Sequence, residues 1–180
     1  LSDSLKENVA DVISELKKMK YSTAILSGDF ERVVSLIAEK IGVDRYFSNI
    51  YADKKVEIIK ELQNNYFCVA MIGDGINDAP ALKQADVGIA IGSGTDIAID
   101  SADIVLTSNN LNSIVNLFLI SKKIYLKIRQ NLFWAFIYNI LAIPLAMFGL
   151  LNPIIAELAM ALSSINVVLN SLRLNGIKLR

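Results

Sequence analysis

No histidine occurs in these 180 residues, which removes Ser-His-Asp and Cys-His machinery and any histidine metal cluster. Cys68 is the single cysteine, so neither an intrachain disulfide nor a thiolate pair for a metal is available, and a reducing compartment suits the chain. Charge of one sign is also missing. Eighteen Lys and Arg face 18 Asp and Glu, leaving no net field for binding nucleic acid non-specifically. The opening LSDSLKENVADVISELKK has neither the basic start nor the apolar core of a signal peptide. It also lacks an initiator Met, as a cut-out or processed piece would. No internal repeat or low-complexity linker interrupts the sequence.

What the chain has in excess is apolar surface. Hydrophobic residues make up 53%, charged residues 20%, and the mean hydropathy is +0.45, too apolar for a soluble enzyme of this length. The excess is localised. Residues 132–151, LFWAFIYNILAIPLAMFGLL, carry no charge, and residues 153–172, PIIAELAMALSSINVVLNSL, carry only Glu157. Each stretch has the ~20 residues that a helix needs to cross a bilayer. Lys122, Lys123, Lys127 and Arg129 precede the first, and Arg173, Lys178 and Arg180 follow the second. Positive flanks on both sides place both ends in the cytoplasm and the link at 149–153 on the far side. The expected organisation is a soluble part at 1–120, a linker helix at 121–131, two membrane helices at 132–151 and 153–172, and a cytoplasmic tail at 173–180. A helix over 111–129 would run from the soluble part straight into the membrane, which suits mechanical coupling; simple anchoring explains it equally.

Through the first 120 residues two hydrophobic periods alternate. Leu5, Val9, Val12, Ile13, Leu16 and Met19 recur at three and four, with Ser4 placed to cap, and predict an amphipathic helix. Residues 23–26 predict a strand closed by Ser27-Gly28-Asp29, and Val33, Val34, Leu36, Ile37 and Ile41 predict a second helix. A third helix is expected over 55–63, then a strand over 67–72 ending in Gly73-Asp74-Gly75-Ile76-Asn77-Asp78, stopped by Pro80. The runs 87–91 and 104–106 complete the set. Short, wholly apolar strands alternating with helices predict an α/β fold with a parallel sheet covered on both faces.

In such sheets chemistry sits beyond the carboxyl ends of the strands, and both polar clusters fall there. A hydroxyl, three carboxylates and an amide then converge near one spot. Carboxylate and amide oxygens are hard ligands of the kind Mg²⁺ prefers, and Ser27 or a backbone N–H suits a phosphate oxygen. Asp, Asn and Gly are also what any βα turn contains, so Ser27-Gly28-Asp29 alone reads equally as a turn. GDGINDAP, with two acids and an Asn within five positions between glycines and a proline, exceeds what a turn requires.

Residues 71–106, MIGDGINDAPALKQADVGIAIGSGTDIAIDSADIVL, resemble the most recognisable segment of the phosphorylation domain of P-type ATPases, a branch of the haloacid-dehalogenase-like fold. Ser27-Gly28-Asp29 resembles that family's TGD motif, with a Ser that keeps the hydroxyl and Phe30 where Asn is common. Asp53-Lys54-Lys55 resembles the stretch that supplies its phosphate-facing lysine, Lys55 being the better match. The resemblance implies that Lys55 pairs with a phosphorylated aspartate, that Asp74 helps hold Mg²⁺, and that Asp78 supports the loop and shares the Mg²⁺ site. Asn77 belongs to the same network, and Ser27, Gly28 and Asp29 complete the implied catalytic set. The nucleophile of that family, the Asp of DKTGT, does not occur in the sequence; nor do a nucleotide-binding domain, a TGE-type actuator loop or a Cys-Pro-Cys membrane motif. The resemblance therefore covers the C-terminal portion of a pump: the second half of the phosphorylation domain at 1–120 and the last two membrane helices. Alone, this portion is expected to be inactive. One rival reading is a membrane-tethered phosphatase of the haloacid-dehalogenase type, for which only Asp3 and Asp11, in helix-like context, precede Ser27. Another is an inactive remnant of a pump.

The two apolar stretches also hold polar groups. Tyr138 and Asn139 lie near the middle of the first, and Met160, Ser163 and Ser164 near the middle of the second, with Met160 and Ser164 one turn apart. Polar groups in hydrocarbon often mark an ion path, although each also serves packing or helix association. Together, YN followed by MxxSS, with NLFWAFIYN and VVLNSLRL around them, resembles the signature of the Cu⁺-transporting, heavy-metal subclass. The resemblance implies a Cu⁺ or Ag⁺ site that includes Tyr138, Asn139, Met160 and Ser164, and a thioether suits a soft ion. The Lys and Asp of the zinc and cadmium subclass and the His-Glu of the cobalt type are missing from these helices. Glu157 departs from the small residue common in copper pumps, and it fits either an interfacial position or the ion's route. By this resemblance the full pump uses Mg²⁺ and ATP and exports Cu⁺. Its partners are the lipid bilayer, the actuator and nucleotide-binding domains, the other membrane helices and a copper chaperone; its location is the plasma membrane.

Overall fold

The computed structural model describes residues 8–73, 76–92, 99–108, 110–149 and 152–176, which divide into two units, Leu1–Val115 and Asn116–Arg180. In the first unit the described elements run α1 (Val9–Lys18), β1 (Ala24–Leu26), α2 (Glu31–Ile41), β2 (Arg45–Phe47), α3 (Ala52–Asn65), β3 (Ala70–Gly73), a 3₁₀ turn (Ile76–Asp78), α4 (Ala79–Gln84), β4 (Val87–Ile91) and β5 (Ile104–Leu106). Ser4 and Leu5, placed at the start of the first helix from the sequence, lie outside the described residues. Every strand pair is parallel, as the alternation of helices and strands predicts. Among the described residues, β1 pairs with β2 in one sheet and β3, β4 and β5 pair in that order in another.

β4 is the inner strand of the three-stranded sheet, and Gly88, Ile89, Ala90 and Ile91 are all buried. That explains its unbroken apolar sequence, since both faces are covered. Helix α4 packs closely on it. A Cβ added at Gly88 would stand 2.6 Å from the Leu82 carbonyl oxygen, so glycine there admits the helix backbone. Leu82 and Ala81 are fully buried on that helix. Helix α2 buries Val34, Ala38 and Ile41 and leaves Val33 and Leu36 exposed.

The same device fixes the start of each parallel pair: an aspartate just before one strand accepts a backbone N–H at or just before the start of its neighbour. Asp44 Oδ2 accepts from the Thr23 amide at 2.8 Å, Asp86 Oδ2 from Val69 at 2.7 Å, and Asp103 Oδ2 from Gly88 at 2.8 Å. Asp44 also meets Lys17 Nζ at 2.7 Å, tying α1 to the β1–β2 pair. The Lys17 ammonium and the Thr23 amide hold the Asp44 carboxyl below its ordinary range.

Three local expectations differ from the structure. The strand over 67–72 pairs only from Ala70, because Phe67 is fully exposed and the Val69 amide is held by Asp86 instead. β2 escapes sequence reading because Arg45-Tyr46-Phe47 offers neither alternation nor an apolar run. Pro80 opens α4 rather than stopping the segment: proline is favoured in a first turn, where its missing N–H costs no hydrogen bond.

Helix α5 (Asn112–Met147) continues unbroken for 36 residues, joining the expected linker helix to the first apolar stretch. At 1.5 Å per residue it is about 54 Å long, and it is long and apolar enough to cross a membrane by length and composition. Helix α6 (Pro153–Leu172) follows, capped by the Asn152 side chain accepting from the Ile154 amide, and a 3₁₀ turn (Arg173–Gly176) closes the described chain. Its described apolar stretch, Glu157–Leu172, is shorter.

Candidate active site and helix-pair polar groups

β1 leads directly into Ser27-Gly28-Asp29, and the backbone there is stitched to the turn after β2. The Ser27 amide donates to the Phe47 carbonyl at 3.0 Å, Ile50 N–H donates to the Ser27 carbonyl at 2.9 Å, and Asn49 N–H donates to the Asp29 carbonyl at 2.9 Å. Within the triplet, Ser27 Oγ donates to Asp29 Oδ2 at 2.9 Å and accepts the Asp29 amide at 3.2 Å. The hydroxyl proton must therefore turn away from Asp29 before Ser27 donates to anything else. Gly28 is not required by space, since an added Cβ would meet Ile50 O at an ordinary 3.5 Å.

β3 ends at Gly73. Asp74 and Gly75 lie outside the described residues, so the structure gives no position for the carboxylate expected to hold Mg²⁺. Beyond them the 3₁₀ turn carries Asp78 back over Gly73. A Cβ on Gly73 would lie 2.8 Å from Asp78 Cβ and Oδ2, so the space beside this glycine is filled by the carboxylate. Lys55, in the first turn of α3, reaches Asp78 Oδ1 at 2.6 Å, with the two side chains only 14% and 16% exposed. Lys54 beside it is exposed, as is Asn77. Packing of α3 beside α4 brings residues 23 apart in sequence into this charge-assisted contact. Among the described residues no hydrogen bond or ion pair joins Ser27 and Asp29 to the Lys55–Asp78 pair. No three His, Cys, Asp or Glu side chains converge among them either. Asp11 lies exposed in the first turn of α1, and Asp3 lies outside the described residues.

In the helix pair, Tyr138 OH accepts from Asn166 Nδ2 at 3.0 Å, linking α5 to α6. The other sequence-predicted residues make contacts on their own helices. Asn139 Nδ2 donates to the Ala135 carbonyl at 3.0 Å, and Ser164 Oγ donates to the Met160 carbonyl at 3.2 Å. Met160 is 68% exposed, and Asn139, Ser164 and Glu157 are exposed too. The seam between the helices is also held by residues to which sequence reasoning gave no pairing. Lys127 Nζ donates to Asn170 Oδ1 at 2.7 Å, Asn170 Nδ2 to Asn131 Oδ1 at 2.8 Å, and Asn131 Nδ2 to Ser171 Oγ at 2.9 Å. Asn170 is buried. The signal that points to them is the i, i+4 spacing of Lys127 and Asn131 together with adjacent Asn170 and Ser171 in an apolar helix.

A family model described as haloacid dehalogenase-like hydrolase matches residues 1–86. The "Probable copper-exporting P-type ATPase V" of Mycobacterium tuberculosis is 46% identical over 174 residues, covering 97% of this chain and 23% of that protein. The "Probable copper-importing P-type ATPase A" of Enterococcus hirae is 47% identical over 177 residues, covering 97% of this chain and 24% of the relative. Among solved structures, a zinc-transporting PIB-type ATPase in the E2.Pi state superposes with a TM-score of 0.90 at 35% identity, over 96% of this chain and 28% of the other. The chain spans about a quarter of the length of the curated relatives it matches.

Proposed function

We propose, for a chain that belongs to the P-type ATPases, that it is the C-terminal part of a Cu⁺-exporting pump. That pump couples ATP hydrolysis to ion movement through an aspartyl-phosphate formed on a residue upstream of this chain. The observation that carries the reading is the half-buried Lys55–Asp78 pair at the carboxyl end of β3, with a second polar loop following the carboxyl end of β1.

Strand pairing supports a place for that nucleophile. Among the described residues β1 and β3 each pair on one side only, and both polar loops follow these two strands. A parallel strand entering between them would join the two sheets in the order β2-β1-new-β3-β4-β5. Its own carboxyl end would then lie between Ser27-Gly28-Asp29 and Asp78. Phosphoryl transfer at such a point rests on positioning and charge. Lys55, already held by Asp78, supplies the positive charge facing the phosphoryl oxygens, and Ser27 Oγ supplies a hydroxyl donor once it turns from Asp29.

The donor chemistry fits Mg²⁺. The ion takes one or two carboxylates and completes its shell with water and phosphate oxygens, so a site lacking three converging acids is adequate. Asp78 gives Oδ1 to Lys55, which leaves Asp74 as the principal protein ligand and Asp78 as the group that holds the lysine. When bound, Mg²⁺ neutralises phosphate charge.

In the membrane, α5 and α6 are the last two spans, with both ends cytoplasmic. Met160, Asn139 and Ser164 are exposed on this pair and Tyr138 is in the seam, so a further helix of the pump completes the Cu⁺ site around the soft thioether. Between residues 130 and 172 Glu157 is the only charged side chain, which favours a soft monovalent ion, Cu⁺ or Ag⁺, over a divalent one. The plasma membrane and a copper chaperone complete the reading. The test is ATP hydrolysis by the full-length pump in detergent: Cu⁺ stimulates and Zn²⁺ does not. Stimulation by Zn²⁺ alone would overturn the ion.

A further inference from the structure

We infer that the basic end of the α5–α6 pair binds the phosphate of an anionic phospholipid, in a cleft built by Lys123, Lys127, Gln130 and Arg173. The inference rests on the reading that these helices span a membrane. After Asp103 the sequence contains seven Lys and Arg and one acid, Glu157. That acid stands 16 positions before Arg173 on α6, about 24 Å along the helix at 1.5 Å per residue, too far to neutralise the cluster. The ion pairs among the described residues all lie in the first unit, and none reaches the cations at this end.

The cleft has the shape and lining to take one. Its volume is about 280 Å³, with Leu126 and Leu174 beside the polar residues. Lys123 and Lys127 are four apart on α5 and share a face, and Arg173 enters from the turn after α6. Lys127 is anchored, donating to Asn170 Oδ1 at 2.7 Å and to Gln130 Oε1 at 3.2 Å, so one of its three N–H donors remains for a ligand. Arg173 brings a fork suited to two phosphate oxygens. A lipid phosphate, rather than free phosphate, matches the apolar side of the lining. Leu132 and Phe133 on α5 are 49% and 59% exposed, and Leu169 and Leu172 on α6 are 53% and 57% exposed, giving acyl chains a surface on the membrane side of the headgroup. Basic pockets between membrane helices at this level hold anionic headgroups.

The test uses the full-length pump in neutral detergent, with native mass spectrometry counting bound palmitoyl-oleoyl phosphatidylglycerol against phosphatidylcholine. Lys123→Ala with Arg173→Ala lowers phosphatidylglycerol affinity roughly tenfold or more. The charge-matched pair Lys122→Ala with Arg129→Ala, outside the cleft, lowers it less than threefold (~), as expected of diffuse surface charge alone. Phosphatidylcholine binding stays unchanged throughout. Lys123→Gln with Arg173→Gln repeats the measurement should the alanine pair fold poorly. Equal losses from the two pairs, or no loss from the cleft pair, would overturn the site; displacement of phosphatidylglycerol by millimolar inorganic phosphate would overturn the lipid in favour of a free anion. Labelling of Phe148→Cys, beside the link expected on the far side, by a membrane-impermeant maleimide added outside intact cells reports separately on whether the helices span.

Discussion

One methyl group added at Gly73 probes the Lys55–Asp78 arrangement without removing either charge. In the structure that Cβ would stand 2.8 Å from Asp78 Cβ and Oδ2, whereas ordinary contact begins at 3.4 Å. Asp78 must therefore retreat by about 0.6 Å, on the order of the adjustments that overpacking forces. The 2.6 Å contact with Lys55 lengthens unless the lysine follows. A hydrogen bond between charged groups contributes ~1.5–3 kcal/mol, and losing about 2 kcal/mol of it corresponds to roughly 30-fold in an equilibrium constant. Gly73→Ala is therefore expected to raise the inorganic phosphate needed for half-maximal Mg²⁺-dependent labelling of the full-length pump by about 10- to 30-fold. Gly88→Ala is the control. Its Cβ would meet the Leu82 carbonyl at 2.6 Å, a backbone atom that yields less readily, and it lies away from the polar loops. It should lower the thermal midpoint more than Gly73→Ala does while leaving phosphate dependence unchanged below that midpoint. Labelling of Gly73→Ala at the wild-type phosphate concentration would refute the view that Asp78 positions the lysine.

Two further outcomes follow from contacts outside that site. Asp44 has a carboxyl held low by Lys17 and Thr23, so its contribution to stability is fully present above the unfolded value of about 3.9 and is lost as pH falls through the folded value. Asp44→Asn should lower the thermal midpoint at pH 7, and the two midpoints should converge only as the pH falls past the unfolded value and through the lowered folded one; a gap that persists in stronger acid would assign the effect to something other than charge. Asn170→Ala leaves Lys127 with Gln130 as its remaining partner and takes the donor from Asn131 Oδ1, at a cost of about 1–3 kcal/mol. Thermal unfolding in detergent should fall accordingly, and no change would mean that water replaces the lost partners.

The order of strands and helices was legible because the period of the apolar positions differs between them. Val87–Ile91 is wholly apolar because it is covered on both faces, and α1 repeats at three and four because it is covered on one. What escaped notice was short or held by side chains. Arg45-Tyr46-Phe47 pairs with β1 at its start through Asp44, a feature with no apolar signature, and six-residue α4 carries in its first turn the proline that suggests a stop. In the candidate site, Lys55 could be preferred over Lys54 only by resemblance, because two adjacent lysines look alike until the packing of α3 on α4 buries one beside Asp78. The seam residues Lys127, Asn131, Asn166 and Asn170 are polar groups in apolar helices, and periodicity alone assigns no partner to them.

The aspartates at 44, 86 and 103 divide the labour between the two ends of the strands. Each secures alignment at the entrance, where the chain has little else to specify which residue faces which in a three- or four-residue pairing. The exits are thereby relieved of that duty. Loops there are free to differ in sequence and length, or to shift with an arriving anion, without sliding one strand past the next. A scaffold anchored at its inlet tolerates change at its outlet, which is where its chemistry is placed.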